Sequence, residues 1–578
     1  METYDVVVLG GGSGSQVATA AAEAGLTAAV CEPGPLGGAC ITRGCVPSKA
    51  LIHRADVCET IRQADRFGVE ADLVDVDYGA ITDSIRRTVY EKADRQADGL
   101  GDAENVTLYD AAGRFVDDRT IALESPDVAF PGSESLATAP PSIESLDTSP
   151  RGTGSSDTAA ATGERRPILI DGERPADHRE IRGEQLVIAV GGRPVVPPID
   201  GLDDVEYLTS DDALFLDERP DRVLIVGGGY IGVELAYFFG AVGATVSLVG
   251  RSDGLLPEED PDVSEAVTTG LERHCSVYAG YEAATVTETD GEVTLTAESD
   301  DDTVELVADT LLVATGRRPN TDDLGLEETA IGTDDAGHVE TDRTLATDVD
   351  GVWAMGDVVA EQPFKHVADY EAEVVSANVL TSAGRSVGSS DESTDGESTD
   401  GEPIDSESTD SESTCDDHPT RDDHPIGDGE NRHDHSTTAT ELASVTYRGI
   451  PHAVFTSPRV ASVGNTEDEL RNDGVEFESA TVPYATAPLG LILDEPEAFV
   501  KAIATPDGEI LGCHIVGPAA PSMIHEVAVA IRRGRARVED VVETIHVHPA
   551  INEVVVAAFD ELADRPLSTT PDWRDVDD

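Results

Sequence analysis

The chain has 578 residues, of which 39% are hydrophobic, and a formal net charge of -76. That length calls for several domains, the apolar share is enough for large cores, and the acidity argues against nucleic acid as a partner. Lysine is confined to Lys49, Lys92, Lys365 and Lys501 while Asp and Glu total 115, a pattern that fits a cytosol at molar salt, where a Debye length of about 3 Å makes such self-repulsion tolerable.

The first element, Tyr4 to Leu9, reads as a strand running into Gly10-Gly11-Gly12-Ser13-Gly14-Ser15, then an alanine-rich helix to Ala24, a strand over Thr27–Cys31, and Glu32. Gly10 lets the turn close, Gly12 lets the backbone reach a pyrophosphate, and the helix N-terminus beyond Gly14 holds negative charge. Glu32 stands where a carboxylate can bond a ribose hydroxyl, and Ser15 occupies the third glycine position. No basic leader or long apolar segment is seen, so neither export nor membrane insertion is expected and the cytoplasm is the default.

Next comes Gly37-Gly38-Ala39-Cys40-Ile41-Thr42-Arg43-Gly44-Cys45-Val46-Pro47-Ser48-Lys49. Residues five apart in a regular helix have Cα atoms about 8.6 Å apart, beyond the roughly 4.4–6.8 Å a disulfide tolerates. Cys40 must therefore precede the regular helix, with Gly37, Gly38 and Gly44 supplying backbone freedom. Cys45 falls in the first turn, where unpaired N–H groups favour a thiolate. The stretch reads as a redox-active disulfide against a flavin; on spacing alone, two unpaired buried cysteines or a structural bridge stay open. The seven cysteines (31, 40, 45, 58, 275, 415, 513) form no secreted framework.

With its surroundings, from Tyr4 to about Leu562, this motif resembles the class I pyridine nucleotide–disulfide oxidoreductases of the glutathione reductase, dihydrolipoamide dehydrogenase and mycothione reductase type. The resemblance implies an α/β fold with two Rossmann-like dinucleotide-binding domains, for FAD and NAD(P), plus a C-terminal α+β dimerisation domain, in a homodimer. It implies that Cys40 exchanges with a substrate disulfide and that Cys45 contacts the flavin. FAD would be held by Gly10, Gly12, Gly14, Ser15, Glu32, Lys49, Gly113 and Gly191. The expected boundaries are residues 1–202 and 321–387 for the FAD domain, 203–320 for the NAD(P) domain, and 441–565 for the dimerisation domain.

From Leu51 to Gly99 the pattern is helical, and Val106–Leu108 and Arg119–Leu123 read as strands. Residues 130–165 lack periodicity and large apolar side chains, which marks a solvent-exposed insertion, with order resuming at Pro167. Leu186 to Pro194 looks like the strand leaving the FAD domain.

Val223 to Val226 opens a second unit, with Gly227-Gly228-Gly229-Tyr230-Ile231-Gly232, a helix through Phe239 and a strand over Thr245–Val249. Here the fingerprint is complete. Where an NAD site carries an acid stand Gly250 and Arg251, which favours the 2′-phosphate of NADPH over NADH, with NADH still possible; a plain surface arginine is the alternative, since Pro257 stands where a second arginine is expected. By resemblance, Tyr230 gates the nicotinamide pocket, Glu234 pairs with Lys49, Gly316 lines the NADP site, and Asp357 and His366 lie against FAD.

Residues 388–440 carry a five-residue acidic repeat with no aromatic residue, leucine or valine, and are expected to be disordered. Cys415, His418, His424, His433 and His435 fit no recognised metal spacing, so no metal is expected. Residues 566–578 read as an acidic tail. The C-terminal region alternates strands and helices and ends on His546-Val547-His548-Pro549-Ala550-Ile551-Asn552-Glu553. Pro549 suits a first helical turn, Glu553 can orient the His548 imidazole, and histidine is the right group to move protons near neutrality.

The expected activity is electron transfer from NADPH through FAD and Cys40–Cys45 to a small-molecule disulfide such as mycothione, bis-γ-glutamylcystine or a glutathione-like molecule. An NAD-dependent dihydrolipoyl dehydrogenase and a non-catalytic flavin-binding protein are the alternatives. Absence of a cysteine pair at the C-terminus argues against the larger thioredoxin reductases and mercuric reductase.

Overall fold

The computed structural model describes residues 1–124, 179–359, 362–385 and 441–563. The expected insertions at 130–165 and 388–440, the restart at Pro167 and the tail at 566–578 lie outside the described residues.

The first unit runs through β1 (Glu2–Leu9), α1 (Gly14–Glu23), β2 (Ala28–Cys31), α2 (Gly38–Thr42), α3 (Cys45–Arg62), α4 (Tyr78–Gly101), β3 (Val106–Tyr109), β4 (Ala112–Asp117), β5 (Thr120–Glu124), β6 (Arg179–Ile188) and β7 (Gly192–Pro194). Its sheet is ordered β3-β2-β1-β6-β5-β4. Val6 to Leu9 are all buried, as the apolar run of a parallel strand covered on both faces requires. The helical pattern over 51–99 resolves into two helices. Gly68 takes φ +73 after a short 3-10 turn, and the Asp77 carboxylate caps α4 by accepting from the Ala80 N–H at 3.0 Å. Strand β4 was not expected, because Ala112-Gly113-Arg114 lacks the β-branched residues that announce a strand.

The second unit comprises α5 (Ser210–Ala213), β8 (Arg222–Val226), α6 (Tyr230–Ala241), β9 (Thr245–Gly250), α7 (Pro261–Leu271), β10 (Ser276–Ala279), β11 (Glu282–Thr289), β12 (Glu292–Glu298), β13 (Thr303–Ala308) and β14 (Thr310–Val313). A four-stranded parallel sheet ordered β10-β9-β8-β14 is flanked by the antiparallel β11-β12-β13 meander. Strand β15 (Arg317–Pro319) pairs with β7, and β16 (Val352–Ala354) returns to the first sheet beside the C-terminal half of β6, followed by α8 (Lys365–Ser382). Helices α3 and α6 share one core, in which Leu51, Ile52 and Ala55 meet Val233 and Phe238.

The third unit is a five-stranded antiparallel sheet ordered β17-β18-β21-β20-β19, from β17 (Pro451–Val454), β18 (Val460–Gly464), β19 (Glu478–Pro483), β20 (Phe499–Ala504) and β21 (Ile510–Val516). Its helices are α9 (Glu467–Asp473), α10 (Pro488–Leu493), α11 (Ala520–Arg533), α12 (Val538–Val542) and α13 (Glu553–Asp560). The expected fold class of two nucleotide-binding α/β domains and an α+β domain holds. Pro549 does not open a helix: it follows a cis peptide bond from His548, and α13 begins only at Glu553. The Glu553 carboxylate accepts from the Ala550 N–H at 3.0 Å and so holds the residues before the helix as an irregular loop. Ile545 and Val547, in that loop, are 98% and 77% exposed. Among the described residues no helix is long and apolar enough to cross a membrane.

Candidate active site

The cysteine motif is seated on the first glycine turn. The Gly37 N–H donates to the Gly11 carbonyl at 3.0 Å, and a Cβ on Gly38 would stand 2.8 Å from Gly12 Cα. Cys40 lies in the short α2 and Cys45 opens the eighteen-residue α3; a Cβ on Gly44 between them would stand 2.8 Å from the Ala39 carbonyl oxygen, so only glycine permits the turn. Both cysteines are free thiols here. The hydrogen bond from Cys40 holds the Cys45 thiol down at about 6, against burial and with help from the Lys49 ammonium. Cys40 is raised, because its proton is committed to that bond and its sulfur is partly buried beside a thiolate.

One turn along α3, Lys49 Nζ lies 2.8 and 2.6 Å from the two carboxylate oxygens of Glu234 on α6. Glu234 is buried, and its Oε1 also accepts from the Phe455 N–H at 2.9 Å, while Lys49 sits 4.9 Å above the Phe455 ring. The ammonium is thus tied to all three units at once. Tyr230, at the head of α6, is 36% exposed and has its phenol raised by partial desolvation, with Arg317, Asp357, Glu234 and Cys45 as its charged neighbours. Arg317 Nε lies 3.6 Å from Asp357 Oδ2. Tyr230, Asp357, Glu234, Lys49 and Cys45 therefore converge on one crevice.

The second pair stands apart on the third unit. His548 Nδ1 is 2.8 Å from Glu553 Oε1, with a side chain 67% exposed. Burial pushes the Glu553 carboxyl up, but hydrogen bonds from His548 and the Ala550 N–H outweigh it and leave it below its ordinary value. His546 is held by Glu526 at 2.7 Å, and its charge also acts on Glu553.

The profile described as pyridine nucleotide-disulphide oxidoreductase matches residues 4–372, and that of the family's dimerisation domain matches residues 450–559. The chain belongs to this family. Members of it use FAD and a nicotinamide dinucleotide, and this chain is a flavin-dependent disulfide oxidoreductase with a dimerisation domain. It is 31% identical over 555 residues to dihydrolipoyl dehydrogenase 2 of Haloarcula marismortui, covering 95% of each chain, and 29% identical over 573 residues to dihydrolipoyl dehydrogenase 3 of the same organism, covering 97% of each. Among solved structures, the HOCl-induced flavoprotein disulfide reductase RclA from Escherichia coli matches with a TM-score of 0.69 at 22% identity, over 96% of this chain and 99% of that one, a likeness of fold.

The glycine turns fit such cofactors. At Gly10 (φ +105) a Cβ would meet the Ala189 carbonyl at 2.2 Å, and at Gly232 it would meet the Gly227 carbonyl at 1.9 Å, so both turns close only without side chains. By contrast Gly191, Gly229 and Gly316 face open space, where a ligand can approach the backbone. Close helix-to-strand packing falls to Gly14, whose Cβ would stand 2.8 Å from Val8 Cγ1; Ser15, at the third glycine position, donates its hydroxyl to the Gly12 carbonyl at 2.8 Å. Glu32 accepts from the Gly11 N–H at 2.8 Å and the Gly34 N–H at 3.1 Å, which points its carboxylate across the turn, and burial raises it. Gly113 differs from the others: Leu9 and Ile121 fill its Cβ direction, so its missing side chain serves the packing of β4. The His366 ring is turned to the third unit, with Nε2 2.8 Å from the Pro451 carbonyl oxygen.

Three residues of the crevice were not singled out from sequence. Arg43, between the two cysteines, pairs with Asp211 at 3.2 Å; Arg317 pairs with Asp357; and Phe364 is stacked between His366 and His452 at 5.6 and 5.5 Å. Arg43 and Arg317 sit inside motifs, so their positions were visible and their partners were not.

Proposed function

We propose that this protein is an NADPH-dependent reductase of small-molecule disulfides. The observation that carries this reading is the end of β9, where Gly250 and an exposed Arg251 stand in place of an acid. Backbone atoms of Gly250 and Gly228 approach closely there, since a Cβ on Gly250 would lie 3.4 Å from Gly228 Cα, so Arg251 emerges beside the glycine turn. A guanidinium at that place attracts a 2′-phosphate, which a carboxylate would repel.

The chain's own groups divide the work. The first glycine turn, Glu32 and Asp357 would hold FAD, which when bound would supply two-electron exchange between the nicotinamide and the Cys40–Cys45 pair. In the reduced pair, Cys45 carries the thiolate and Cys40 the exchanging sulfur. His548 of the partner subunit takes the proton of Cys40 as that sulfur attacks one sulfur of the substrate disulfide, and returns it to the first thiol as this is expelled, leaving a mixed disulfide on Cys40. Cys45 then displaces the second thiol from Cys40 and restores the intramolecular disulfide. Lys49, fixed by Glu234, favours the Cys45 thiolate throughout, and Glu553 fixes the His548 tautomer. The acidic composition supports work in a cytoplasm at molar salt.

A second reading, an NAD-dependent dihydrolipoyl dehydrogenase, is favoured by the similarity to the two Haloarcula marismortui dihydrolipoyl dehydrogenases. Initial rates in molar KCl with NADPH or NADH against bis-γ-glutamylcystine, mycothione, glutathione disulfide and lipoamide separate the two. NADPH with a low-molecular-weight disulfide should give the highest kcat/KM; preference for NADH with lipoamide would reverse the assignment. Arg251→Ala should raise KM for NADPH roughly threefold to tenfold and leave that for NADH nearly unchanged, the margin being compressed by salt.

A further inference from the structure

The third unit reaches the Tyr230 side of the crevice through its edge strand, β17. His452 on β17 is paired directly with Ser462 on β18, so the two side chains stand on one face of the sheet. There they share one carboxylate of the second unit: His452 Nε2 lies 2.6 Å from Glu259 Oε1, and the Ser462 hydroxyl donates to Glu259 Oε2 at 2.6 Å. The next residue, Asp260, is fixed as well, by the buried Lys501 ammonium at 2.7 Å and the Glu467 N–H at 3.1 Å. Glu259 is therefore a rigid holder for the His452 ring. Burial pushes its carboxyl up, but the bonds from His452 and Ser462 outweigh this and leave it below its ordinary value. Burial likewise pushes His452 down, and the bond to Glu259 with its charge leaves the imidazole raised.

The held ring is one end of an aromatic column. Phe364, which precedes α8, stacks on His452 with centroids 5.5 Å and planes 6° apart, and on His366 at 5.6 Å and 12°. His366 is fixed in turn, its Nε2 lying 2.8 Å from the carbonyl oxygen of Pro451, the neighbour of His452. An imidazolium against a phenyl face is attractive, and Phe364 cannot tilt without breaking a stack on one side or the other. Its ring meets that of Tyr230 at a centroid distance of 6.4 Å, with planes 47° apart. We infer that His452 is a positioning residue for coenzyme oxidation: held by Glu259, its ring fixes Phe364, and Phe364 in turn fixes the Tyr230 ring at the head of α6. Tyr230 is 36% exposed, so without this backing its ring has room to turn. The Phe455 N–H, three residues past His452, holds Glu234, one turn along α6 from Tyr230. One short stretch of the third unit thus places both the partner of Lys49 and the ring at the helix head.

This inference rests on the expected place of Tyr230 at the nicotinamide, not on the choice between NADPH and NADH, and the test separates the two. FAD-loaded enzyme in molar KCl is mixed anaerobically with saturating NADPH, and separately with NADH, and flavin bleaching is followed by stopped flow. Reoxidation of dithionite-reduced enzyme is followed with whichever of the disulfides named above serves the wild type best. Bleaching of Tyr230→Ala at the wild-type rate with both coenzymes would overturn the place of Tyr230, and this inference with it. If Tyr230→Ala changes the rate, His452→Gln, which keeps a donor for Glu259 but has no ring, should bleach at least about fivefold more slowly than wild type, while its reoxidation stays within about twofold. Phe364→Leu should match it, and the double variant should be no slower than the slower single one, since both changes act through the same ring. His452→Phe combined with Glu259→Gln, which restores a flat ring without stranding a buried charge, should recover much of the rate. Loosened packing would slow both half-reactions, and a ring would not rescue it. Bleaching of His452→Gln at the wild-type rate overturns the inference, as does equal slowing of the two half-reactions; should His452→Gln fail to retain FAD, the same outcomes in Phe364→Leu decide.

Discussion

As isolated, with FAD oxidised, the Cys40→Ser enzyme should show the long-wavelength charge-transfer absorption that the wild type gains on two-electron reduction, and Cys45→Ser should lack it. The expectation follows from which sulfur can carry charge. Cys45 heads α3, where unpaired N–H groups and the helix dipole favour an anion, and the hydrogen bond from Cys40 with the Lys49 ammonium holds it at about 6. Serine at position 40 still offers an O–H donor to the Cys45 thiolate, so the anion survives that change. With Cys45 replaced, Cys40 loses the neighbour to which its proton was committed, but it has neither the helix N-terminus nor Lys49 beside it. The sign with pH follows: a thiol whose value is lowered to about 6 is charged above that pH and neutral below it, so the wild-type band should be full at pH 8 and fade as the solution is acidified through 6. Lys49→Met should move that fade to higher pH. A band present in Cys45→Ser and absent from Cys40→Ser would exchange the roles of the two sulfurs.

The groups legible in the sequence are those whose spacing is local. Cys40 to Lys49 spans ten residues, and His548 to Glu553 six; each is fixed by one turn and one helix start, so the side chains were placed before any tertiary contact was known. The Lys49–Glu234 pair, 185 residues apart, came from resemblance alone, since no periodicity links α3 to α6. What holds Glu234 could not be read at all, because its further donor is the Phe455 backbone N–H, and a main-chain group leaves no mark on residue identity. The same holds for Asp369, whose donors are Ser13 in the first glycine turn, Gln16 on α1 and Lys365 on its own helix. Helix boundaries erred where caps overrode an apolar pattern, as at Gly68 and Asp77. Pro549 was misplaced because Glu553 spends both carboxylate oxygens on the preceding loop, one on His548 and one on the Ala550 N–H, which delays the helix.

Mixing two inactive homodimers, Cys40→Ser and His548→Ala, should restore up to about a quarter of wild-type activity, since random pairing makes half the dimers mixed and each mixed dimer has one working site of two. Within one chain, His548 is 67% exposed and, among the described residues, none of the hydrogen bonds joins it to the cysteine motif. A proton donor must come within hydrogen-bond reach of the departing sulfur, so a site built by each chain for itself would need His548 turned towards its own Cys40. The loop that carries it instead presents Ile545 and Val547 to solvent at 98% and 77% exposure, an apolar surface of the kind a partner covers. The dimerisation domain lies at that end of the chain, and a closed two-fold dimer would set each His548 against the other subunit's Cys40 while burying both apolar loops. Each parent alone should fall at least about a hundredfold, the Cys40 variant by loss of the nucleophile and the His548 variant by loss of the acid. The mixed species then rebuilds one complete site from the unmutated Cys40 of one chain and the unmutated His548 of the other. Co-refolding the variants with distinguishable tags, isolating the doubly tagged dimer and assaying it in molar KCl tests this directly. Activity of that dimer no higher than its parents would show that the two groups belong to the same chain.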